Sequence, residues 1–584
     1  MSRSSPPLAP AFADPGKQLS IHPKVHGQFR SADSQWAGRV STELRTEKVA
    51  ISVGAGYTYA SLLRAGGVVN NPSDGKPAEV PRFDRDGVTQ LGTGYRIGAA
   101  DATIRVKVSR DLVAIAAAQL FRQTDTPRTD LCPPPFGVVG DCLVIDEQFR
   151  TMVYVGLDGK FGPGAKNSKL RLSFQRQHEY ATRTRPLSHV QNGAIDNVST
   201  YGVSFSSETE RVSLGGNTWL DFFWGADAYL DRIESTAWAK FTDTSQVFPY
   251  ARGQYLEGST YTTAGGYGRT ELNVGRGLTT VIGARVGLAS ASLTSDTESG
   301  KPAMTPTWGA SAAELRVLAR PLPWLFFSFG GDHSFRAPNL TDLSQRQQTG
   351  PGFQIENPAI APERQWTLEA GMGIRSEKVR FDTWVYRAVI DGYLTLLPKS
   401  ISDCPQGLSA ESCASSWSRY QLVNATSLSV MEGVEGALKL FPLPWLRVQM
   451  TAAFARGEGP NPGGSVAFKT VRETAPRVPL SRVPPANGTV DIRATLPKGM
   501  FAGASLRWAW LQSRLALSDL TDYRIPIGGT PGFAVFDVRF WYRYRQNLVI
   551  LAQVENLFDS AYRSHGSAVN GPGRGISVSV EASY

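Results

Sequence analysis

The stretch FAVFDVRFWYRYR, residues 533–545, alternates between apolar and charged positions. One face carries Ala534, Phe536, Val538, Phe540, Tyr542 and Tyr544, and the other carries the charges Asp537, Arg539 and Arg543. A period of two indicates a β-strand with one apolar face. The run exceeds the usual ~5–6 residues of strands in soluble proteins and is about the length that crosses a bilayer obliquely. It therefore predicts one strand of a membrane-spanning barrel.

The same alternation recurs along the second half of the chain. It is present in RQWTLEAGMGIR at 364–375, WLRVQMTAAFA at 445–455, NLVILAQVEN at 547–556 and the final stretch 575–584. An arginine or lysine on the lipid face at mid-bilayer costs about 2–4 kcal/mol. We therefore expect the charged faces to line the lumen, and the terminal Tyr584 to lie at the periplasmic interface.

The segments between these strands alternate in length. Reading back from Tyr584, long gaps at 557–574, 512–532, 455–488, 391–430 and 332–364 alternate with short gaps at 544–547, 496–499, 441–445, 375–378 and 320–324. Outer-membrane barrels have this asymmetry because tight turns connect the strands at one end and long loops at the other. Eleven strands are predicted in this part of the chain.

The first 310 residues follow the same plan. Ten candidate strands lie near 36–45, 48–60, 90–108, 112–121, 148–157, 168–179, 198–208, 218–231, 261–275 and 278–290, with long loops around 61–88, 122–146, 181–197, 232–260 and 291–306. Because bacterial barrels have an even number of strands, residues 17–30 are expected to supply one more. The predicted fold class is an all-β, antiparallel transmembrane barrel of about 22 strands.

Composition and cysteine spacing exclude several classes of protein. The chain has 584 residues and a formal net charge of +10, but the basic residues form no long run, so nucleic-acid binding is not expected. The cysteines form two close pairs, Cys132 with Cys142 and Cys404 with Cys413, without the spacing of a zinc site. Two loop disulfides, formed in an oxidising compartment, are the preferred interpretation.

No enzyme motif is present. The chain has no Walker loop, no H-E-x-x-H and no G-x-S-x-G, and the acidic residues suggest no pair for general acid-base work. We therefore expect no catalysis, no cofactor and no metal site. Loop aromatics form either a ligand-binding vestibule or a set of rings that pack on each other; they are Tyr250, Tyr255, Tyr261, Trp417 and Tyr420.

Three ordered motifs in the last 250 or so residues resemble the TonB-dependent outer-membrane receptor family. The first, SFRAPNLTDL at 334–343, contains Phe335, Arg336, Ala337, Pro338 and Asn339. The second, ENPAIAPERQWTLEAG at 356–371, contains Asn357, Pro358, Pro362 and Glu363. The third, at 554–584, contains Glu555, Asn556, Leu557, Phe558, Asp559, Tyr562 and Tyr584. We expect these residues to serve the fold.

Two of these expectations are specific. Asn556 and Asp559 are expected to cap the turn that leaves a strand, because such side chains bond to nearby backbone amides. Arg336 is expected to face the lumen or a plug surface. The alternative is that Arg336 contacts an acidic ligand.

The resemblance implies a monomeric barrel in the bacterial outer membrane. It also implies an N-terminal plug, import of a scarce ligand such as a ferric siderophore, haem, cobalamin or an oligosaccharide, and energy from the TonB complex. No plug or TonB box is recognisable in residues 1–35, which we interpret as an N-terminal extension, either disordered or the remnant of a plug linker. The barrel is expected to span 36–584.

Two other functions remain as alternatives. The first is a plugless diffusion pore or a structural outer-membrane barrel. The second is a soluble β-rich carbohydrate-binding protein such as a propeller, which should show internal repeats of about 40–50 residues.

Overall fold

The computed structural model describes residues 10–16, 19–134, 142–184, 188–406, 409–463 and 474–584. Their main feature is an antiparallel barrel of 22 strands. In chain order, β1 to β22 are Ser20–Arg30, Gln35–Arg45, Val49–Ala60, Tyr95–Lys107, Leu112–Pro127, Cys142–Gly159, Ser168–Thr184, Val190–Glu208, Thr218–Phe241, Thr260–Val274, Leu278–Ser292, Thr307–Leu322, Leu325–Arg336, Glu363–Arg375, Val379–Asp391, Ser429–Leu443, Leu446–Pro460, Asn487–Thr495, Met500–Ala509, Phe533–Tyr544, Leu548–Glu555 and Gly575–Ser583.

The first and last strands close the barrel. They pair in antiparallel register, from Lys24 opposite Ser583 to Arg30 opposite Ser577. An ion pair between Lys24 Nζ and Glu581 Oε1, 2.8 Å apart, crosses this seam. Closure leaves no strand edge in hydrocarbon, where each unpaired backbone group costs several kcal/mol. The predicted fold class and strand number are confirmed.

The structure moves the start of the barrel toward the N-terminus. Strand β1 begins at Ser20, within the segment 17–30 that was expected to supply the additional strand, so the boundary at residue 36 was wrong. His22 and His26 lie in this strand rather than in a disordered extension. Pro23 and Gly27 interrupt the apolar alternation here, which is why the sequence pattern was weak.

Charged and apolar residues separate across the barrel wall as predicted. In β20 the side chains of Phe536, Val538 and Phe540 are exposed on the outside. On the other face, Asp537 Oδ1 accepts a hydrogen bond of 2.8 Å from the Asn556 backbone, and Arg539 pairs with Asp491. The apolar exterior suits a lipid bilayer. On the lumen side, charged residues of nearby strands form ion pairs with one another.

The two ends of the barrel differ in the length of their connections. One end, here called the long-loop end, carries the connections 61–94, 242–259, 293–306, 337–362, 392–428, 461–486, 510–532 and 556–574. The opposite short-turn end has connections such as 275–277, 323–324 and 376–378. The expected long loop at 181–197 was wrong, because Ser168–Thr184 and Val190–Glu208 continue as paired strands almost to the tip. Above the bilayer both faces of a strand meet water, so the apolar alternation fades before the strand ends.

The remaining elements are short and lie in the connections. In the described part of the chain, three α-helices span Leu340–Ser344, Ser409–Ser415 and Leu517–Thr521, and three 3-10 turns span Ser31–Asp33, Ile401–Asp403 and Pro497–Gly499. Short strands Val212–Gly215, Val247–Pro249 and Arg477–Pro479 extend the barrel sheet, and Leu63–Arg64 pairs with Thr89–Gln90. Within the described residues, no helix has the length and apolar character needed to cross a membrane.

Both predicted disulfides are present. Cys132 is bonded to Cys142 and Cys404 to Cys413. The Cα–Cα distances of the two pairs are 4.3 Å and 5.8 Å, respectively. The first joins Cys132, shortly after the end of β5, to the start of β6, and the second lies within the connection between β15 and β16. Both bonds therefore constrain the long-loop end.

Candidate ligand-binding vestibule

Two long loops build a small sheet over the barrel mouth, here called the cap. Its four strands are Gln347–Gln348, Phe353–Ile355, Arg419–Asn424 and Leu394–Pro398, in that spatial order. The second and third strands are parallel and come from different loops, with Phe353 opposite Arg419. Cys413 is fully buried against Phe353 and Ile355, so the second disulfide packs directly on the cap sheet.

An apolar cluster supports the cap from the neighbouring loops. It consists of Ile233, Leu256, Ala291, Leu293, Leu340, Leu343 and Ile360, all buried. Tyr255 and Tyr261 pack against its edge. The cluster therefore joins the ends of β9 to β11 to loops 242–259 and 337–362 by burial of apolar surface.

A buried ion cluster joins the same loops. Arg346, only 1% exposed in its side chain, lies 2.9 Å from Asp296, 2.8 Å from Glu298 and 2.6 Å from Glu356. Asp296 also binds Arg252 at 2.9 Å, and Glu356 binds Lys301 at 2.9 Å. Three cations therefore face three carboxylates. Such a cluster tolerates burial because its charges are paired, and removal of one partner leaves an uncompensated charge.

The neighbouring cations keep two of these carboxylates, Glu356 and Asp296, ionised. Burial by itself would raise the pKa of Glu356, but Arg346 and then Lys301 hold that pKa below its usual value. The pKa of Asp296 is likewise lowered, since hydrogen bonds from Ser299 and the charges of Arg252 and Arg346 outweigh the effect of burial. Glu356 and Asp296 are thus ionised at neutral pH.

A cavity of about 130 Å³ lies beneath the cap. Its wall includes polar side chains from the upper ends of β7 and β8, including Glu179, Arg183, Asn192 and Asp196, and Tyr250 from loop 242–259. The Tyr250 hydroxyl donates to Asn192 Oδ1 over 2.6 Å, and Arg183 donates to Gln347 Oε1 of the cap over 3.0 Å. The cavity is smaller than the roughly 300–1,000 Å³ of typical small-molecule sites, but it shares with them a few convergent polar groups.

The loop aromatics divide between two roles. Tyr250 lines the cavity. The others pack within the loops: Tyr255 and Tyr261 on the apolar cluster, Trp417 edge-on to Tyr523 at 4.9 Å, and Tyr420 buried with its hydroxyl 2.5 Å from Thr349 Oγ1. Packing, rather than a shared aromatic vestibule, therefore accounts for four of the five.

Arg336 connects two of the sequence motifs. Its guanidinium lies 2.7 Å from Asp342 Oδ2 and 2.8 Å from Glu363 Oε2. Asn339 caps the helix Leu340–Ser344, accepting from the Asp342 amide at 2.9 Å. Asp342 belongs to the same motif as Arg336, and Glu363 belongs to the second motif. Because both carboxylates already pair with this arginine, we propose a structural role for Arg336 rather than contact with an acidic ligand.

The remaining residues of the first two motifs lie around this pair. Phe335 is the second-last residue of β13, and Ala337 directly follows the strand. Pro338 is fully buried. Asn357 donates to the Leu422 carbonyl of the cap at 2.9 Å, next to Pro358. Pro362 precedes Glu363 at the start of β14. The two motifs thus form the base on which the cap rests.

The third motif forms the turn between β21 and β22. Asn556, 1% exposed and in the left-handed region at φ 47°, donates to the carbonyls of Ser560 and Pro572 and accepts from the Ser560 amide, each at 2.9 Å. Asp559 accepts from the Arg574 amide at 2.6 Å.

The other residues of this motif occupy both sides of the wall. Glu555 pairs with Gly575, Leu557 and Phe558 are exposed, and Phe558 meets Phe536 on the exterior at 5.3 Å. Tyr562 is buried and accepts from Arg507 at 3.2 Å. Tyr584 is exposed at the short-turn end, where its amide donates to the Pro23 carbonyl at 3.0 Å.

The Asn556→Ala substitution is expected to lower the free energy of unfolding by about 2–3 kcal/mol, because it leaves buried backbone groups unpaired in a strained turn. Urea unfolding in lipid vesicles measures the loss. The matched control is Asn547→Ala, which removes one hydrogen bond of 2.9 Å to Ser583 from an exposed turn. Equal losses in the two variants would contradict the role of Asn556.

The ion cluster was not visible in the sequence. Arg252, Asp296, Arg346 and Glu356 come from three different loops, and each is an ordinary charged loop residue when viewed alone. The paired loop cysteines were the one available signal, since they indicated that the long-loop end is held in a defined structure.

Comparisons with known proteins agree with this architecture. The family model described as "TonB dependent receptor-like, beta-barrel" matches residues 82–557. No curated protein matches the chain. Among solved structures, the copper transporter OprC has a TM-score of 0.73 at 13% identity, over 97% of this chain and 80% of its own.

Two further structures are similar. The hemophore receptor HasR of Serratia marcescens, solved with its hemophore HasA and heme, has a TM-score of 0.71 at 16% identity, over 98% of this chain and 82% of its own. The FrpB iron transporter of Neisseria meningitidis has a TM-score of 0.68 at 13% identity, over 97% and 81%. At these identities the likeness concerns the fold alone.

Proposed function

The chain belongs to the TonB-dependent receptor-like β-barrel family, and from this premise we propose that it is an outer-membrane receptor that imports a scarce solute such as a ferric siderophore. The observation that carries the proposal is the cap. A barrel of 22 strands is wide, and here loops 337–362 and 392–428 fold over its mouth, above a cavity with polar side chains in its wall. The first loop is held by the buried ion cluster and the second contains a disulfide. A passive diffusion pore gains nothing from such a cover.

The proposed class of solute is taken by analogy from the structurally similar proteins. The similar structures are a copper transporter, an iron transporter and a hemophore receptor in complex with its hemophore and heme. A metal-containing solute is therefore the first class to test. Import, rather than catalysis, is the proposed activity.

The proposed partner is the TonB complex, acting through a plug. The segment that precedes β1 already approaches the lumen: Pro10 is buried, and its carbonyl accepts from Arg105 at 3.0 Å. The Phe12 ring lies 5.0 Å from the Arg105 guanidinium and 4.6 Å from Lys107 Nζ, both on the lumen face of β4. A plug joined to β1 through this segment would be positioned inside the barrel.

The test is uptake by a bacterium that lacks its own iron receptors and expresses the full-length protein. We expect accumulation of radioactive iron from at least one of a set of ferric catecholates, ferric hydroxamates and haem, and loss of that accumulation when TonB is deleted. Uptake that is independent of TonB, together with steady ion conductance of the purified protein in planar bilayers, would instead support a diffusion pore.

A further inference from the structure

A second cavity, of about 330 Å³, lies at the long-loop end between loops 510–532 and 556–574 and the ends of β18 and β19. None of its lining residues lines the cavity beneath the cap. Its wall contains Arg482, Arg507, Arg563 and His565 but no aspartate or glutamate. This separates it from the buried ion cluster, where Arg252 and Arg346 each have a carboxylate partner.

Arg563 is the central residue of this cavity. Its exposed fraction is 1%, yet its partners are neutral: Nε donates to Asn570 Oδ1 at 2.8 Å and Nη2 donates to the Val80 carbonyl. Nη1 is buried and forms no hydrogen bond with any residue that the structure describes. Burial lowers the pKa of Arg563 to about 10, so the side chain is still charged at neutral pH.

The other basic residues place further polar atoms around the same space. His565 Nδ1 lies 2.9 Å from Thr530 Oγ1, while its Nε2 is buried without a partner among the described residues. Among the described residues, the hydrogen-bond acceptor of Arg507 is the neutral Tyr562 hydroxyl, at 3.2 Å. Arg482 binds Asp522, but Asp522 lies outside the cavity wall and is shared with Arg524.

Such an arrangement is costly without a ligand. An unpaired charge in a dry site loses several kcal/mol of solvation, and an unmade hydrogen bond of a buried donor adds to that loss. A guanidinium matches the geometry of a phosphate or carboxylate group, and charge-assisted hydrogen bonds are the strongest of their kind. An oxyanion in the cavity would satisfy the free donors.

We propose that this cavity is a binding site for an oxyanion, a phosphate or carboxylate group, which Arg563 Nη1 contacts directly and Arg507, Arg482 and His565 surround. The group has two possible sources. It belongs either to a soluble solute or to a phosphorylated lipid head group, since Trp510 also lines the cavity and is 68% exposed, as is typical of membrane-interface aromatics. Only the first source, with the anion on the imported solute, rests on the proposed function.

The test uses the purified full-length protein in detergent and inorganic phosphate as the probe, by calorimetry at constant ionic strength. Ser564 is exposed and lines the cavity, so it allows a charge to be introduced without disturbing Arg563. We expect saturable binding with a Kd of about 1 mM or tighter, and at least about tenfold weaker binding in Ser564→Asp and Arg563→Gln. The neutral Ser564→Asn variant is expected to bind as the wild type does.

Ser564→Asp decides the matter if Arg563→Gln fails to fold. Arg514→Gln is a second control, because Arg514 lies on loop 510–532, which also borders the cavity, but pairs with Glu458 outside the cavity wall. Absence of saturable phosphate binding, or equal binding by Ser564→Asp and Ser564→Asn, would overturn the proposal. That result would leave the uptake test unaffected, so the two proposals fail separately.

Lipid nanodiscs then distinguish the sources. If phosphatidylglycerol, but not phosphatidylcholine, competes with phosphate in the wild type and is retained less by Ser564→Asp, the occupant is a head group. If phosphate binds equally in both lipids, the occupant is a soluble anion. Both outcomes support the oxyanion site.

Discussion

The Arg346→Met substitution is expected to open the cap while leaving the barrel closed. It removes the cation that faces Asp296, Glu298 and Glu356, so buried carboxylates remain with too few partners. Breaking a buried ion pair in this way costs about 3–5 kcal/mol. The three loops that the cluster joins carry little barrel pairing of their own, so we expect the loss to be confined to the cap and these loops.

Hydrogen exchange is the direct measurement of this effect. Protection should fall at Phe353–Ile355 and Arg419–Asn424, the parallel pair of cap strands, and persist in β14 and β15. Arg375→Met is the control, because Arg375 pairs with Asp382 at 2.5 Å near the short-turn end with a side chain 43% exposed. Exposed pairs contribute about 0–1 kcal/mol. Unchanged exchange in Arg346→Met would show that the apolar cluster alone holds the cap.

The cap and the barrel differ in how far the sequence predicts them. Barrel strands are bounded by lipid on one side, so every second residue must be apolar, and Phe536, Val538 and Phe540 reveal the strand directly. No such constraint acts on the cap, because its strands are short and belong to two different loops. Its register depends on long-range pairs such as Arg346 with Asp296, which leave no periodic trace.

The family motifs lie between these two cases. Arg336 and Glu363 flank a single loop and meet across neighbouring strands, so their local pattern was recognisable although their contact was not predicted. At the N-terminus, by contrast, the local sequence pattern of β1 was not recognisable. Strand β1 carries a proline and a glycine at positions 23 and 27, and its place in the barrel is set by pairing with β22, the most distant strand in the sequence.

The largest expected effect on the barrel itself comes from Leu368→Arg. Leu368 lies at the middle of β14 and, at 72% exposure, is among the most exposed apolar side chains of the outer wall. If this wall faces hydrocarbon, an arginine here costs about 2–4 kcal/mol of the free energy of folding into a bilayer. Urea unfolding of the protein in phosphatidylcholine vesicles measures that loss.

The neighbouring position supplies the matched control. Thr367 is one residue away, points to the lumen and lies opposite Asp332 in the register of β13 and β14. Thr367→Arg therefore adds the same side chain at the same height in the bilayer, but on the hydrated face and beside a carboxylate, so we expect a loss of less than about 1 kcal/mol. Equal losses in the two variants would mean that the exterior of this barrel does not face lipid, because side-chain size and strand position are the same in both.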